Sequence, residues 1–201
     1  MENNNSTIIC RSLGNVIDQE TLKKMADFQV RKEGGFLANY LAYRNSTGEI
    51  CSPALDEERL NKARTYLIED TETGELIAYF TLKAGLVGFK RNRNFLNKIF
   101  DAMSGIEVAN LAVNEVYKQA HDDLHGIGYM VFRNYILPKA EEAQRIIGAE
   151  ILYIYALPRT KLINRYKGYG FTQLVPFQQK YLERRFRPGY DRGCVFMYQI
   201  F

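Results

Sequence analysis

Short apolar runs alternate along this chain with stretches in which apolar positions recur every three or four residues. Residues 7–12 read as a first strand. Asp18 is placed to cap a helix running to about Val30, because Leu22, Met25, Ala26 and Val30 keep a helical period. Gly34-Gly35 breaks that helix, and Phe36-Leu37-x-x-Tyr40-Leu41 starts a second. Ser46-Thr47-Gly48 and Ser52-Pro53 are turn signals. Residues 65–69 and 76–82 are two strands around Glu72-Thr73-Gly74, a hairpin. Residues 95–103 read as a short amphipathic helix.

The middle of the chain is the most informative part. Ile106-Glu107-Val108-Ala109-Asn110-Leu111-Ala112-Val113 is a strand, and Asp123-Leu124-His125-Gly126-Ile127-Gly128 is a glycine turn that opens a helix. Pro138 inside that helix costs about 3 kcal/mol in an uninterrupted interior, so a kink or a break is expected there. Gly148 ends the helix as a C-cap. Residues 151–156 are a tyrosine-rich strand, and 171–175 and 194–201 read as the last two strands. Between these two lies a basic, aromatic insert, 176–193, read as a long loop; loops of that size are often functional. This order predicts an α/β domain over 1–201: a mixed sheet with helices on both faces.

A strand followed by a glycine turn and a helix start leaves several N–H groups without intrahelical partners, with the helix dipole behind them. Such a turn suits a phosphate, though it also arises for steric reasons alone. It is no Walker loop, because Gly-Lys-Ser/Thr is missing, and no dinucleotide fingerprint, because Val131 stands where a third glycine belongs.

The combination of Leu111-Ala112-Val113, Gly126-x-Gly128, a helix to Gly148, the tyrosine-rich strand and Tyr166-x-x-x-Gly170-Phe171 resembles the GNAT superfamily of acetyl-CoA-dependent N-acetyltransferases. The motif-bearing resemblance covers 105–171. It implies a mixed, mostly antiparallel sheet whose central parallel strands splay apart to admit acetyl-CoA, and transfer of its acetyl group to a primary amine by direct attack. It implies Tyr166 as the general acid; a phenol with a pKa of about 10 is protonated at neutral pH. The competing reading of Tyr166 is a packed aromatic, one of 14 tyrosines. The resemblance gives the main-chain groups of Leu111, Ala112 and Val113 to the pantetheine arm. The turn of Asp123, Leu124, His125, Gly126, Ile127 and Gly128 then takes the pyrophosphate, and Asn164 or Arg159 touches the coenzyme. Asp123 departs from the family's Gln or Arg, and a carboxylate there must point away from the phosphates. The stretch 117–124 is also longer than the family's turn. Glu107 lies on the strand that carries a catalytic glutamate in some relatives, and is the candidate base; a solvent-facing strand carboxylate is the alternative. His121 and His125 share a helical spacing, but no third ligand is evident, and no metal is expected.

Composition narrows the setting. The 201 residues carry a net charge of +4 and no apolar run of the roughly 18 residues a membrane helix needs, so no membrane span is expected. The first five residues, polar and with an acid, do not look like a signal peptide. Cys10, Cys51 and Cys194 are odd in number and far apart, which suggests reduced thiols in a cytoplasm. The segment 83–98 holds Lys83, Lys90, Arg91, Arg93 and Lys98 and no acid. The segment 180–192 holds Lys180, Arg184, Arg185, Arg187 and Arg192 against Glu183 and Asp191. As loops or short helices both would be solvated faces or surfaces for an anion such as RNA. With Phe36-Leu37-x-x-Tyr40-Leu41 and strand 78–82, they give a likeness to bacterial GNAT toxins that acetylate aminoacyl-tRNA. A non-catalytic acyl-CoA-binding module is the third reading. The family resemblance admits a homodimer without requiring one, and the acceptor is not legible.

Overall fold

Asp18 is the cap its position implies: its Oδ1 accepts from the Thr21 N–H at 2.6 Å and opens α1 (Gln19–Ala26). In the computed structural model, which describes residues 8–15, 18–93, 97–122, 124–185 and 193–201, α1 stops four residues short of the expected end. Tertiary hydrogen bonds claim the backbone that would have continued it. The Gln29 N–H donates to Asn114 Oδ1 at 3.4 Å, and the Gln29 carbonyl accepts from the Glu115 N–H at 2.8 Å. The second helix is α2 (Gly35–Leu41). The turn at residues 46–48 joins a small hairpin, β2 (Tyr43–Arg44) with β3 (Ile50–Cys51). Ser52-Pro53 is a helix start rather than a turn. Ser52 Oγ accepts from the Leu55 N–H at 3.1 Å and donates to the Leu41 carbonyl at 2.6 Å, and Pro53 occupies the first position of α3 (Pro53–Arg59).

The sheet has β1 (Ile8–Ser12), β4 (Arg64–Asp70), β5 (Leu76–Arg93), β6 (Asn97–Val113), β7 (Ile151–Ala156), β8 (Thr172–Gln173) and β9 (Val195–Ile200), in the order β1-β4-β5-β6-β7-β9-β8. Of the described pairings in this seven-stranded sheet only β6–β7 is parallel, so the sheet is mixed and mostly antiparallel, with helices flanking it.

Two expectations need correction. From Asn97 the stretch expected as an amphipathic helix is the beginning of β6. Its short apolar pattern fits either period, and the neighbouring strand β5 decides the outcome. For the same reason the basic stretch from Lys83 to Arg93 is strand, not loop or short helix. Lys83 itself pairs with Glu57 at 2.8 Å, while the side chains of Lys90, Arg91, Arg93 and Lys98 lie outside the described residues. The insert at 176–193 also begins as a helix, α8 (Pro176–Arg185). Leu182 is buried, and Gln179 donates to the Cys194 carbonyl and accepts from the Phe196 N–H. Residues 186–192, with Arg187 and Arg192, lie outside the described part.

The helix containing Pro138 is resolved by a change of winding. α5 (Ile127–Val131) passes into a π-helical segment, Phe132–Ile136, and then α6 (Leu137–Ile147), with Pro138 in the first turn of α6. The wider turn makes room where the proline ring would meet a carbonyl and where its missing N–H would leave one unbonded. Gly148, at φ 70°, ends α6.

The chain divides into two compact units, Met1–Lys83 with Asn110–Ile136, and Ala84–Ala109 with Leu137–Phe201. The first has a core of Leu13, Met25, Phe28, Leu41, Leu67 and Tyr79 among others. The second is centred on Val87, Ile151, Tyr153, Leu182 and Phe196. Among the described residues no helix is long and apolar enough to cross a membrane.

Candidate active site

In the first unit, β6 ends with Leu111, Ala112 and Val113; Ala112 is in the core, and the other two are half-buried. The next residue, Asn114, is a junction that sequence reading passed over. Its N–H donates to the Ile77 carbonyl at 2.8 Å and its Nδ2 to the Leu76 carbonyl at 2.8 Å, while its Oδ1 accepts from Val116 at 3.2 Å and caps α4 (Glu115–Ala120). That helix explains why 117–124 is longer than the family's turn. Leu124 and His125 are exposed, and Asp123 lies outside the described residues. Gly126 adopts φ 77°, a left-handed conformation that suits glycine, and its side-chain direction is open, with nothing within 4 Å of an added Cβ. The Tyr129 and Met130 N–H groups return to the Gly126 carbonyl. Among the described residues, the N–H groups of Ile127 and Gly128, ahead of them, have no main-chain acceptor outside the helix, as expected of a helix start. A turn that is open at Gly126 and leads into such a helix start fits an anionic group.

In the second unit, β6 and β7 pair only over Gly105–Ile151, Ile106–Leu152 and Glu107–Tyr153. The ladder ends there, although β7 continues to Ala156. Glu107 is no solvent-facing carboxylate: it is 9% exposed, and the Tyr153 hydroxyl lies 3.4 Å from its Oε2. Burial, with the Glu107 carboxylate adding to it, pushes the Tyr155 hydroxyl up to about 12. Tyr153 lies across two glycines, Gly105 on the adjoining strand β6 and Gly85 on β5 beyond it, and stacks on Phe196 at 5.4 Å.

Tyr166 stands in the last turn of α7 (Thr160–Gly168), and the rest of its motif is the cap of that helix. Gly170 is left-handed at φ 98°; its N–H returns to the Lys167 carbonyl and the Phe171 N–H to the Tyr166 carbonyl, both at 3.0 Å. These are the paired bonds of a Schellman cap, and its characteristic apolar contact is the Phe171 ring on Tyr166, centroids 5.9 Å apart. Tyr169 meets Tyr166 edge-on from another side at 5.8 Å. Burial, then the Tyr169 hydroxyl, push the Tyr166 hydroxyl up to about 12 against the opposing charge of Arg165, so it holds its proton at neutral pH. Asn164 and Arg159 are exposed, Arg159 at the N-cap position without a side-chain cap bond. Glu107 belongs to the contacts of Tyr153 and Tyr155, while Tyr166 rests on Tyr169 and Phe171.

No protein-family model and no curated protein matches the chain in sequence. Solved structures do match in fold. A tyrosine-to-phenylalanine mutant of the toxin AtaT, bound to the C-terminus of the antitoxin AtaR and acetyl-CoA, superposes with a TM-score of 0.60 at 16% identity, over 95% of this chain and 92% of that one. A tyrosine-to-phenylalanine mutant of KacT gives 0.62 at 14% identity, over 96% and 94%. AtaT complexed with acetyl-methionyl-tRNAfMet gives 0.60 at 18% identity, over 94% of each. This chain has the GNAT fold.

The GNAT fold accounts for the strand order and for the short parallel ladder. It does not by itself assign the cap at Gly170 or the junction at Asn114, which are read from this chain's own hydrogen bonds. Asn114 had a signal in the sequence, an Asn directly before Glu115 in a stretch able to form a helix. Tyr153 had none, because its role depends on glycines at positions 85 and 105, far from it in sequence.

Proposed function

We propose that this chain is an acetyl-CoA-dependent N-acetyltransferase acting on a primary amine. The observation that carries the reading is Tyr166, a phenol held protonated and seated by its own helix cap within a GNAT fold. The acceptor nitrogen attacks the thioester carbonyl, the carbon–sulfur bond breaks, and Tyr166 gives its proton to the departing thiolate. The N–H groups at the Gly126 turn, including Ile127 and Gly128, take the pyrophosphate, with His125 and Leu124 at its rim. The main chain of Leu111, Ala112 and Val113 takes the pantetheine arm, and Asn164 offers a side-chain amide to the coenzyme. Glu107 takes the proton lost by the amine.

Aminoacyl-tRNA is the acceptor favoured by a specific observation. On α8, Phe177, Lys180 and Arg184 are exposed and spaced to share one face, an aromatic for base stacking and two cations for phosphates. The AtaT complex with acetyl-methionyl-tRNAfMet is consistent with that choice. The test is thiol release from acetyl-CoA with total aminoacyl-tRNA and, separately, a lysine peptide as acceptors. Tyr166→Phe lowers kcat about a hundredfold or more, with acetyl-CoA affinity nearly unchanged. Equal turnover by the variant removes Tyr166 from the chemistry, and no turnover of either acceptor by wild type refutes this acceptor assignment.

A further inference from the structure

We propose that Asp70, Tyr117 and His121 form a positioning relay that ties down Leu124, ahead of the Gly126 turn; the functional part of this inference rests on the coenzyme reading above. The relay begins at a rigid point. Asp70 closes β4, is 2% exposed, and is built into the β4–β5 turn through Gly74 N–H to its carbonyl at 2.8 Å and its own N–H to the Glu75 carbonyl at 3.0 Å. Its Oδ1 accepts from the N–H groups of Glu72 at 2.9 Å and Thr73 at 3.4 Å, and its Oδ2 accepts from the buried Tyr117 hydroxyl at 3.1 Å. Burial pushes its carboxyl up, but these donors outweigh it and leave the group below the ordinary aspartate range, hence charged at neutral pH.

Tyr117 passes the constraint to the end of α4. Its ring stacks on the His121 imidazole, centroids 4.1 Å apart and planes 23° from parallel. His121 Nδ1 lies 3.0 Å from the Tyr117 carbonyl. A carbonyl oxygen only accepts, so Nδ1 carries the proton and donates. The His121 carbonyl in turn accepts from the Leu124 N–H at 3.0 Å. Leu124 is therefore tied to a residue that is itself tied, through Tyr117, to the carboxylate of a β-turn.

The arrangement matters because α4 is too short to be stable alone. Its N-terminal end is fixed by Asn114, and its C-terminal end by Tyr117 and His121. Beyond His121 the chain is exposed at Asp122, Leu124, His125 and Gly126. Ordering such a segment at the moment of binding weakens affinity, and a pre-set start lowers that cost. The relay touches no reacting atom, so Asp70, Tyr117 and His121 are positioning residues.

Tyr117→Phe removes the hydroxyl and keeps the stacked ring; His121→Ala removes both the stack and the Nδ1 donor. His121→Asn returns an amide donor near the Nδ1 position. Amide hydrogen exchange without ligand is read at residues 124–128, with α1 as internal control, beside acetyl-CoA affinity by calorimetry and kcat at saturating acetyl-CoA. The expected result is faster exchange in 124–128 alone, and an acetyl-CoA Kd raised about fivefold for Tyr117→Phe, as one lost hydrogen bond implies, with kcat unchanged. His121→Asn recovers part of what His121→Ala loses. Unchanged exchange at 124–128 in both Tyr117→Phe and His121→Ala overturns the relay. If exchange rises but wild type binds no acetyl-CoA, the relay stands as an anchor and the coenzyme reading falls.

Discussion

Adding one methyl group at Gly85 or Gly105 separates two different contacts with the same ring. A Cβ on Gly105 would lie 2.8 Å from Cε1 and 2.9 Å from Cδ1 of Tyr153, and 3.0 Å from Cγ1 of Ile151. A Cβ on Gly85 would lie 1.8 Å from the Tyr153 hydroxyl oxygen and 2.9 Å from its Cζ. Carbon atoms prefer about 3.5–4.0 Å, so both positions are overfilled. The ring has little freedom to retreat: Tyr153 is 4% exposed, with Phe196 stacked on it and Tyr155 against its edge. Replacing glycine by alanine would otherwise stabilise an ordered backbone, by about 0.5–1 kcal/mol, so the sign of the effect is diagnostic. Overpacking reverses it, at about 1–3 kcal/mol for each variant. For a chain of this size a loss of 2 kcal/mol lowers Tm by about 4–8 °C. The partner substitution Tyr153→Phe removes the oxygen that the Gly85 methyl meets at 1.8 Å, leaving Cζ at 2.9 Å, and leaves every carbon that the Gly105 methyl meets. In a double-mutant cycle read by urea denaturation, Gly85→Ala therefore couples favourably to Tyr153→Phe, by about 1 kcal/mol, and Gly105→Ala couples little. Gly168→Ala, with nothing within 4 Å of its Cβ, is the control and costs nothing. Equal coupling for the two glycines, or two stabilising single variants, refutes this placement of the ring.

Ser52→Ala removes both the N-cap of α3 and the bond to the Leu41 carbonyl. It destabilises by about 1–2 kcal/mol in urea denaturation, and a loss below a few tenths would contradict the cap. Alkaline titration tests the half-buried phenols. Tyr155 and Tyr166 are pushed up to about 12 and Tyr40 is raised as well, all by burial first. An unfolded tyrosine ionises near a pKa of about 10, so stability is unaffected below that pH and falls as pH rises from about 10 towards 12. Phenolate absorption shows a late-titrating class whose ionisation accompanies unfolding; a single titration of all tyrosines near 10 in the folded chain would contradict it.

What the sequence disclosed, it disclosed through local rules. Asp18, Gly126 and Gly148 act through their own backbone and immediate neighbours, and their positions announce helix ends. Pro138 likewise forecast a disturbance, which takes the form of the π-helical segment before it. The failures are tertiary. α1 ends early because Asn114 and Glu115 take the Gln29 backbone groups, and the stretch after Asn97 is strand because β5 lies beside it. Gln179 secures α8 through bonds to Cys194 and Phe196, which no periodicity within 176–193 could reveal. The spacing of Tyr166 to Gly170 and Phe171 was legible, and in the structure that spacing is a Schellman cap. The burial of Glu107 was not legible, because it depends on Tyr153 reaching across from another strand.

The most direct test of an acetyl-CoA-dependent enzyme is calorimetric titration of the purified chain with acetyl-CoA, beside Gly126→Glu. That variant sets a carboxylate and a side chain unsuited to φ 77° into the turn. The account predicts that wild type binds and the variant loses binding while remaining folded. No binding by wild type would contradict the enzyme, and equal binding by both would move the pyrophosphate away from Gly126.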